Sequence, residues 1–358
     1  MSQLFTPIHL RDLEVRNRVW VSPMCQYSSV DGMPTDWHLV HLGSFARGGA
    51  GLVLTEAAAV VPEGRISPSD AGLWNDEQRD AWRRVVDFVH GQGAAIGVQL
   101  AHAGRKASTT VPWVGRGPVP DEDGGWQPVG PSADPFPGLR QDVRELTGAE
   151  VRDVVAAFAA GARRAVEAGF DTVEIHAAHG YLLHEFLSPL SNHREDEYGG
   201  PFEHRVRLLL EVADAVRGAV PEGMPVLVRI SGTDYAEGGW TVEDSARAGA
   251  LLAEHGVDLV DVSSGGNVAD VTIPVGPGYQ VDLARAVREA GVPTGAVGLI
   301  TEAKQAEEVL TSGAADAVLL ARALLRDPHW ALQAAHELGV RPGEGVDWPP
   351  QYLRAALA

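Results

Sequence analysis

Two histidines and one tyrosine fall within six residues in the segment His176-Ala-Ala-His179-Gly-Tyr181. The segment continues the apolar run from Thr172, which is typical of a buried β-strand, so the three side chains stand where that strand ends. Two imidazoles can donate paired hydrogen bonds to one carbonyl or nitro oxygen, stabilising the negative charge that forms when hydride adds to a conjugated carbon. A nearby phenol can then protonate the adjacent carbon. Packed histidines and a zinc pair are the alternatives; zinc is disfavoured because the spacing is poor outside a helix and no third ligand is in view.

Two further polar residues lie on apolar runs. Arg229 occurs in Val-Leu-Val-Arg229-Ile-Ser, and a charge inside a buried strand needs an anionic partner. That partner is predicted to be either Glu174, on the adjacent strand, or the anionic edge of a bound ring. Gln99 carries both a donor and an acceptor, which suits a pyrimidine-like ring, although a purely structural role for Gln99 is equally open.

Glycines and an arginine follow the last two apolar runs. Gly298 ends the sequence Gly-Ala-Val-Gly, and Ala321-Arg322 comes after the next run. The loops after the seventh and eighth strands of a barrel commonly hold a phosphate with backbone N–H groups and one arginine. No Gly-x-Gly-x-x-Gly segment follows a predicted strand, so any nicotinamide is expected to bind transiently and not in a Rossmann domain.

The single cysteine, Cys25, lies in Ser22-Pro23-Met24-Cys25-Gln-Tyr27, directly after the first apolar run. It could be a covalent nucleophile, a residue that tunes a redox group or a small buried side chain, the last being the commonest fate of a free cysteine. One cysteine cannot form a disulfide framework within the chain, which suits a reducing compartment.

The elements that must position these residues are alternating strands and helices. Short apolar runs predict eight strands, at residues 18–22, 51–56, 95–100, 172–176, 225–231, 259–263, 293–297 and 317–321. Amphipathic segments predict helices at residues 76–91, 148–168, 203–220, 242–255, 281–290 and 304–311, several of which end at a glycine such as Gly169 or Gly256. Eight such units predict an α/β fold, a (β/α)8 TIM barrel, with a doubly wound open sheet as the alternative.

Two segments depart from this repeat within a single predicted domain, 1–358. Residues 1–17 precede the first strand and predict an N-terminal hairpin that covers the amino-terminal end of the barrel. Residues 113–140 are rich in Pro and Gly and follow the third strand, so the excursion 103–147 is predicted to lie at the active-site end, with a tolerated surface insertion as the alternative. Residues 340–358 form a C-terminal tail.

Composition limits the possible partners. The formal charge of −19 repels nucleic acids and anionic membranes. The start of the chain lacks the pattern of a signal peptide, and no apolar run is long enough to span a bilayer, so a cytoplasmic location is expected.

Longer motifs carry a resemblance that extends over essentially the whole chain. They are Leu-Phe-Thr-Pro-Ile at the start, Ser-Pro-Met-Cys-Gln-Tyr, Val-Gln-Leu-Ala-His-Ala-Gly-Arg-Lys, and His-Ala-Ala-His-Gly-Tyr-Leu-Leu-His-Glu-Phe-Leu-Ser-Pro-Leu-Ser-Asn-His-Arg. With these motifs the chain resembles the old yellow enzyme family of FMN-dependent ene-reductases, in the bacterial subgroup called thermophilic-like or xenobiotic-reductase-like.

The resemblance implies roles for individual residues. Non-covalent FMN would lie against Ser22, Pro23, Met24, Cys25 and Ala57, with Gln99 at its pyrimidine edge, Arg229 at its N1/O2 side, and Gly298, Ala321 and Arg322 around its phosphate. His176 and His179 would bind the substrate oxygen, Tyr181 would donate the proton, and Tyr27 would add a substrate hydrogen bond. Cys25 matches the cysteine that is thought to tune the flavin in this subgroup. No metal is implied.

The resemblance also implies a reaction and an assembly. NADPH or NADH would reduce FMN and leave, and an α,β-unsaturated carbonyl or nitro compound would then accept hydride, in a ping-pong sequence. Arg354 would reach the active site of a neighbouring subunit in a homodimer or homotetramer, although the ending Ala-Ala-Leu-Ala departs from the aromatic ending of some relatives.

Other functions remain open at this level. A phosphate-binding aldolase or isomerase barrel without flavin would need a base such as Lys106. A dienoyl-CoA-reductase-like barrel would carry an iron–sulfur cluster, which one cysteine cannot ligate. A non-catalytic binding barrel is the third alternative.

Overall fold

The computed structural model describes residues 2–115 and 117–357. Within them, parallel strands close into a barrel of eight in the order of the chain. The barrel strands are β1 Val19–Val21, β2 Leu52–Ala59, β3 Ala95–Ala101, β4 Thr172–Ala177, β5 Val226–Ser231, β6 Leu259–Ser263, β7 Thr294–Ala296 and β8 Ala317–Leu320. Each lies within a residue or two of a predicted strand, except β2, which runs three residues further, so the predicted TIM barrel is confirmed.

Helices connect the strands on the outside of the barrel. The longer ones are α1 Asp36–Arg47, α2 Asp76–His90, α3 Gly148–Ala168, α4 Arg207–Arg217, α5 Val242–Glu254, α6 Val281–Glu289, α7 Ala303–Thr311 and α8 Trp330–Glu337. Short α-helices span Leu182–Leu187, Phe202–Arg205 and Arg322–Arg326, and 3-10 turns span Pro62–Gly64, Gly104–Lys106, Asp121–Asp123 and Pro350–Ala355.

Local sequence explains where most helices begin and end. The side chains of Asn75, Thr147 and Thr241 accept hydrogen bonds from the first turn of α2, α3 and α5 in reciprocal capping boxes. Gly169 ends α3 with φ 94°, a left-handed conformation that a side chain would disfavour. The glycine helix stop predicted there is therefore confirmed.

The helices depart from prediction at several places. Helix α8 and the short helices Leu182–Leu187 and Arg322–Arg326 lie outside the predicted helices. The predicted helix 203–220 is divided at Val206 into Phe202–Arg205 and α4. Helix α1 lies outside the predicted helices, because its capping box pairs Thr35 with His38 in place of the usual Glu or Gln.

The N-terminal hairpin closes one end of the barrel. Ile8–Leu10 pairs antiparallel with Leu13–Val15, as predicted. Its apolar side chains form one buried cluster with residues near the starts of the barrel strands, among them Leu52, Leu227 and Leu259. This end is therefore a packed apolar plug, and a ligand must enter from the opposite end, where the strands finish. Among the described residues, no helix is both long and apolar enough to cross a membrane.

Candidate active site at the carboxyl ends of the strands

A layer of polar side chains lies inside the barrel above the apolar plug. Gln99 on β3 stands level with Glu174 on β4, and its Nε2 donates a hydrogen bond of 2.7 Å to Glu174 Oε1. Arg229 on β5 stands level with Asp261 on β6, and Nε lies 2.9 Å from Asp261 Oδ2. Two partners were predicted for Arg229, either Glu174 or the anionic edge of a bound ring. Strand register sets Glu174 beside Gln99 and gives Arg229 the carboxylate of Asp261, which was not predicted. The bound ring stays a prediction.

Burial and neighbouring charges decide which of these carboxyl groups is ionised. Burial raises the pKa of Glu174, and the charge of Asp261 raises it further, while Arg229 opposes both effects. Burial also raises the pKa of Asp261, against the opposing effect of Arg229 beside it. Because Asp261 has the direct ion-pair partner, it carries the negative charge of this layer, and Glu174 retains a proton to a higher pH.

The predicted trio of His176, His179 and Tyr181 comes together above this layer. The ring centroids of His176 and His179 are 5.3 Å apart, and those of His176 and Tyr181 are 5.1 Å apart. Burial, followed by the charge of Arg229, lowers the pKa of both histidines well below the usual value, so both imidazoles are neutral near pH 7. Burial raises the pKa of Tyr181, which keeps the phenol protonated.

The loop that carries His179 and Tyr181 is held against the loop after β6. Gly180 has φ 71°, and a Cβ there would lie 2.3 Å from Gly266 O, so the two backbones approach as closely as they do only because this residue is glycine. Lys106 Nζ donates hydrogen bonds of 2.8 Å to both His179 O and Gly266 O. The loop geometry is therefore set by contacts between segments that are distant in sequence.

The segment after β1 supplies another side of the site. Ser22 N donates to Leu320 O at 3.0 Å, which ties this segment to β8. Burial, with the charges of Asp70 and Glu56, raises the pKa of the Cys25 thiol well above its usual value. A thiol held in the neutral form is a poor nucleophile, which disfavours the covalent role considered for Cys25.

A cavity of about 160 Å³ lies between the loops after β7 and β8. Its lining includes the predicted phosphate-site residues Gly298, Ala321 and Arg322. Gly298 has φ 112°, and a Cβ there would lie 2.5 Å from Gln280 Oε1. The cavity thus depends on glycine, and it offers backbone groups and two exposed arginines, Arg322 and Arg326, to an anion.

These features fit FMN. Arg229 Nε and both Asp261 oxygens are buried without a hydrogen bond of good geometry, although the ion-pair distance is short. The Arg229 guanidinium is therefore not saturated by protein acceptors and can donate to a ring oxygen or nitrogen, beside the Gln99 amide. Fold and site together define a (β/α)8 barrel with a layer of polar side chains inside the barrel mouth and a cavity suited to an anion at one side.

Comparisons with known proteins give the particular family. The sequence model of the NADH:flavin oxidoreductase / NADH oxidase family matches residues 3–340. An NADPH dehydrogenase of Listeria innocua is 49% identical, with 99% of each chain covered. Among solved structures, the old yellow enzyme homologue from Zymomonas mobilis has a TM-score of 0.78 at 27% identity, covering 99% of each chain. Morphinone reductase has a TM-score of 0.78 at 28% identity, covering 96% of this chain and 93% of that chain.

The chain belongs to the NADH:flavin oxidoreductase / NADH oxidase family and is an ene-reductase of the old yellow enzyme type that uses FMN with NAD(P)H as reductant. The flavin-free aldolase or isomerase alternative is therefore wrong. Lys106, the base considered for it, instead holds two backbone carbonyls.

Three residues of the site were not predicted from the sequence. Ser231 Oγ accepts a hydrogen bond of 2.9 Å from His179 N, and Ser263 Oγ lies 2.7 Å from His179 Nε2. Both serines end predicted strands, a position that could have identified them. Asp261 stands between apolar residues in Leu-Val-Asp261-Val, the same signal that singled out Arg229.

Arg354 is not brought to the site of its own chain. It is exposed on the 3-10 turn Pro350–Ala355. The neighbouring Tyr352 packs under Arg47, at the end of α1, with 5.2 Å between guanidinium carbon and ring centroid. Because α1 runs back from the carboxyl end of β1, Arg47 and the tail lie toward the plugged end of the barrel.

Proposed function

We propose that this enzyme reduces the activated C=C bond of α,β-unsaturated carbonyl or nitro compounds by a ping-pong sequence, with Tyr181 as the proton donor. The observation that carries the proposal is the grouping of the Tyr181 phenol with two imidazoles, with pKa shifts that favour the neutral form of all three side chains. Such a cluster can bind an oxygen that gains negative charge and can deliver a proton nearby, without itself carrying a charge.

His176 and His179 bind the substrate oxygen. As neutral rings they each offer one N–H donor, and their protonation does not compete near pH 7 because their pKa values are lowered. Gln280 Nε2 donates to Ser263 Oγ at 3.1 Å, so the Ser263 hydroxyl can donate its own proton to His179 Nε2. With Nε2 as the acceptor, the His179 ring proton is on Nδ1, from which it can be donated to substrate.

Tyr181 protonates the α-carbon, and Tyr27 adds a hydrogen bond to the substrate. Tyr27 lies near enough for its charge to affect the pKa of Tyr181. The high pKa of Tyr181 keeps its proton in place until a carbanion-like centre forms beside it. FMN bound in the site supplies hydride from N5 to the β-carbon once NADPH or NADH has reduced it.

The cofactor contacts in this proposal follow the geometry described above. The pyrimidine edge lies at Gln99 and Arg229, and the phosphate in the cradle of Gly298, Ala321 and Arg322. The remaining flavin contacts come from Ser22, Pro23, Met24, Cys25 and Ala57. Because Gln99 Nε2 is engaged by Glu174, the carbonyl oxygen of Gln99 is left to accept from a ring N–H.

We further infer that residues 1–358 act as one domain, that excursion 103–147 borders the active site and that tail 340–358 serves assembly. Arg354 is exposed and distant from its own site, so any active site that it reaches belongs to another copy in a homodimer or homotetramer. A cytoplasmic location is supported by the single free Cys25, which suits a reducing compartment.

The half-reactions of a Tyr181→Phe variant test the proposal. Flavin reduction by NADPH should stay within about twofold of wild type, whereas flavin reoxidation by 2-cyclohexenone should slow by roughly 100-fold, the usual contribution of a general acid. Stopped-flow absorbance of the flavin measures both steps. Tyr198→Phe is the matched control, because the Tyr198 hydroxyl bonds Glu211 outside the site and should leave both steps unchanged. Equal slowing of both half-reactions by Tyr181→Phe would remove Tyr181 as proton donor.

A further inference from the structure

A small flap stands at the start of the Pro- and Gly-rich excursion. Thr109 pairs antiparallel with Pro118, and Thr110 N donates to Gly117 O at 2.9 Å. We call residues 109–115 with 117–118 the flap. Its base is tied to the segment after β2, because Thr109 N donates to Ile66 O at 2.7 Å. The turn at its tip carries Trp113.

The segment that follows the flap is held by hydrogen bonds at Trp126. Trp126 Nε1 donates to Glu63 O at 2.8 Å, and Trp126 N donates to Ser108 Oγ at 2.9 Å. The Arg65 guanidinium lies over the Trp126 ring, 5.1 Å from its centroid. The flap is thus anchored on both sides of its base.

Trp113 exposes most of its ring, with 68% of the residue accessible. Its one described ring contact is with Tyr27, edge to face, at 5.8 Å between centroids and 81° between planes. An exposed indole beside the site can pack against an apolar or aromatic substituent, since covering the ring is favourable. Val114 beside it is 72% accessible but has no aromatic face to offer.

The flap lies close to the reacting centre. Ile66, to which the base of the flap is bonded, lines one small cavity together with Tyr181. Lys106 Nζ lies 5.1 Å from the ring centroid of Tyr181 and 4.7 Å from that of Phe136, another residue of the excursion. The flap and the excursion therefore border the proton donor, and Trp113 contacts Tyr27 on the segment after β1.

We propose that Trp113 is a specificity-determining residue that binds the distal aromatic ring of an aryl-conjugated acceptor. The inference rests on the proposed function, in which the activated C=C bond lies beside Tyr181 and its oxygen at the paired histidines. A planar substituent on the β-carbon then extends outward along Tyr27 to the indole. An aromatic pair of this kind contributes about 2- to 12-fold in affinity.

The test compares two nitroalkenes that differ only in the β-substituent, trans-β-nitrostyrene and 1-nitropropene. With Trp113→Ala, the ratio of their kcat/KM values should fall by about 2- to 12-fold, through a higher KM for nitrostyrene. Trp113→Phe should retain most of the ratio, and Val114→Ala, an equally exposed neighbour, should retain all of it. In the oxidised holoenzyme, binding of 4-phenylphenol, followed by flavin absorbance, should weaken by the same factor in Trp113→Ala while binding of phenol stays unchanged.

The results distinguish a failure of the role of Trp113 from a failure of the proposed function. If wild type reduces both nitroalkenes and Trp113→Ala leaves their ratio and 4-phenylphenol binding unchanged, the role of Trp113 is overturned while the proposed function stands. If wild type reduces neither nitroalkene, the proposed function is overturned, and the inference with it.

Discussion

Replacing Asp234 with alanine should loosen the loop that carries His179 and Tyr181. His184 Nδ1 accepts the Gly180 N–H at 2.9 Å, so its ring proton lies on Nε2, which is 3.0 Å from Asp234 Oδ1. Both members of this pair are fully buried. Asp234 Oδ2 also accepts from Ser188 Oγ at 2.5 Å and from Trp240 N at 2.9 Å. The carboxylate therefore holds His184, and His184 holds the loop.

The size of the effect follows from burial. Removing the Asp234 carboxylate leaves the buried donors of His184, Ser188 and Trp240 without their acceptor. Each unsatisfied group costs about 1–3 kcal/mol, so a total loss of about 3–5 kcal/mol is expected. For a large domain each kcal/mol shifts the midpoint of thermal unfolding by about 2–4 °C, which predicts a fall of roughly 6–20 °C for Asp234→Ala. Burial alone would raise the pKa of Asp234, but His184, Ser188 and the Trp240 amide outweigh it and lower that pKa. The stabilisation is thus present at neutral pH and is lost as the pH falls through the lowered pKa.

The assay is thermal unfolding at pH 7, together with phenol binding to the oxidised holoenzyme. The matched control is Asp214→Ala, since Asp214 pairs with His255 at 2.7 Å but on the surface, with 59% and 31% of the side chains accessible. A pair so exposed contributes about 0–1 kcal/mol. Phenol binding should weaken in Asp234→Ala only, because His179 lies on the loosened loop. Equal midpoints for the two variants would refute the reasoning from burial.

Two other perturbations test the assembly and the pH dependence of stability. Arg354→Ala should weaken phenol binding by about tenfold, the value of one charge-assisted hydrogen bond, whereas the exposed tail variant Arg341→Ala should not; matching affinities would contradict a role for Arg354 in a neighbouring site. Burial raises the pKa of Glu185 to about 8 from 4.5, against the opposing effect of Arg105, so its stabilising contribution is complete below the unfolded-state pKa and is lost as the pH rises toward 8. Glu185→Gln should therefore flatten the decline of the unfolding midpoint between about pH 5 and pH 8, and an unchanged slope would count against this protonation state.

The barrel and the cluster of His176, His179 and Tyr181 could both be predicted from the sequence. Strand positions followed from apolar runs because a parallel strand buried on both faces leaves an uninterrupted apolar signal. His176, His179 and Tyr181 could be read directly because they are adjacent in the chain, so one strand end suffices to bring them together. Helix α1 was missed because its start has His38 where a more usual capping residue would mark the boundary.

The pairing of charged side chains could be read only from the three-dimensional structure. Arg229 was expected to meet either Glu174 or a bound ring, and the register between β5 and β6 sets it level with a third anion, Asp261. The contact of Asp234 with His184 and the contact of Trp113 with Tyr27 likewise join segments that are far apart in the chain. A sequence pattern reports the period of one element, whereas these contacts depend on how separate elements are aligned. For Arg229 and Asp261, a shift of one residue between β5 and β6 would turn one side chain away from the other.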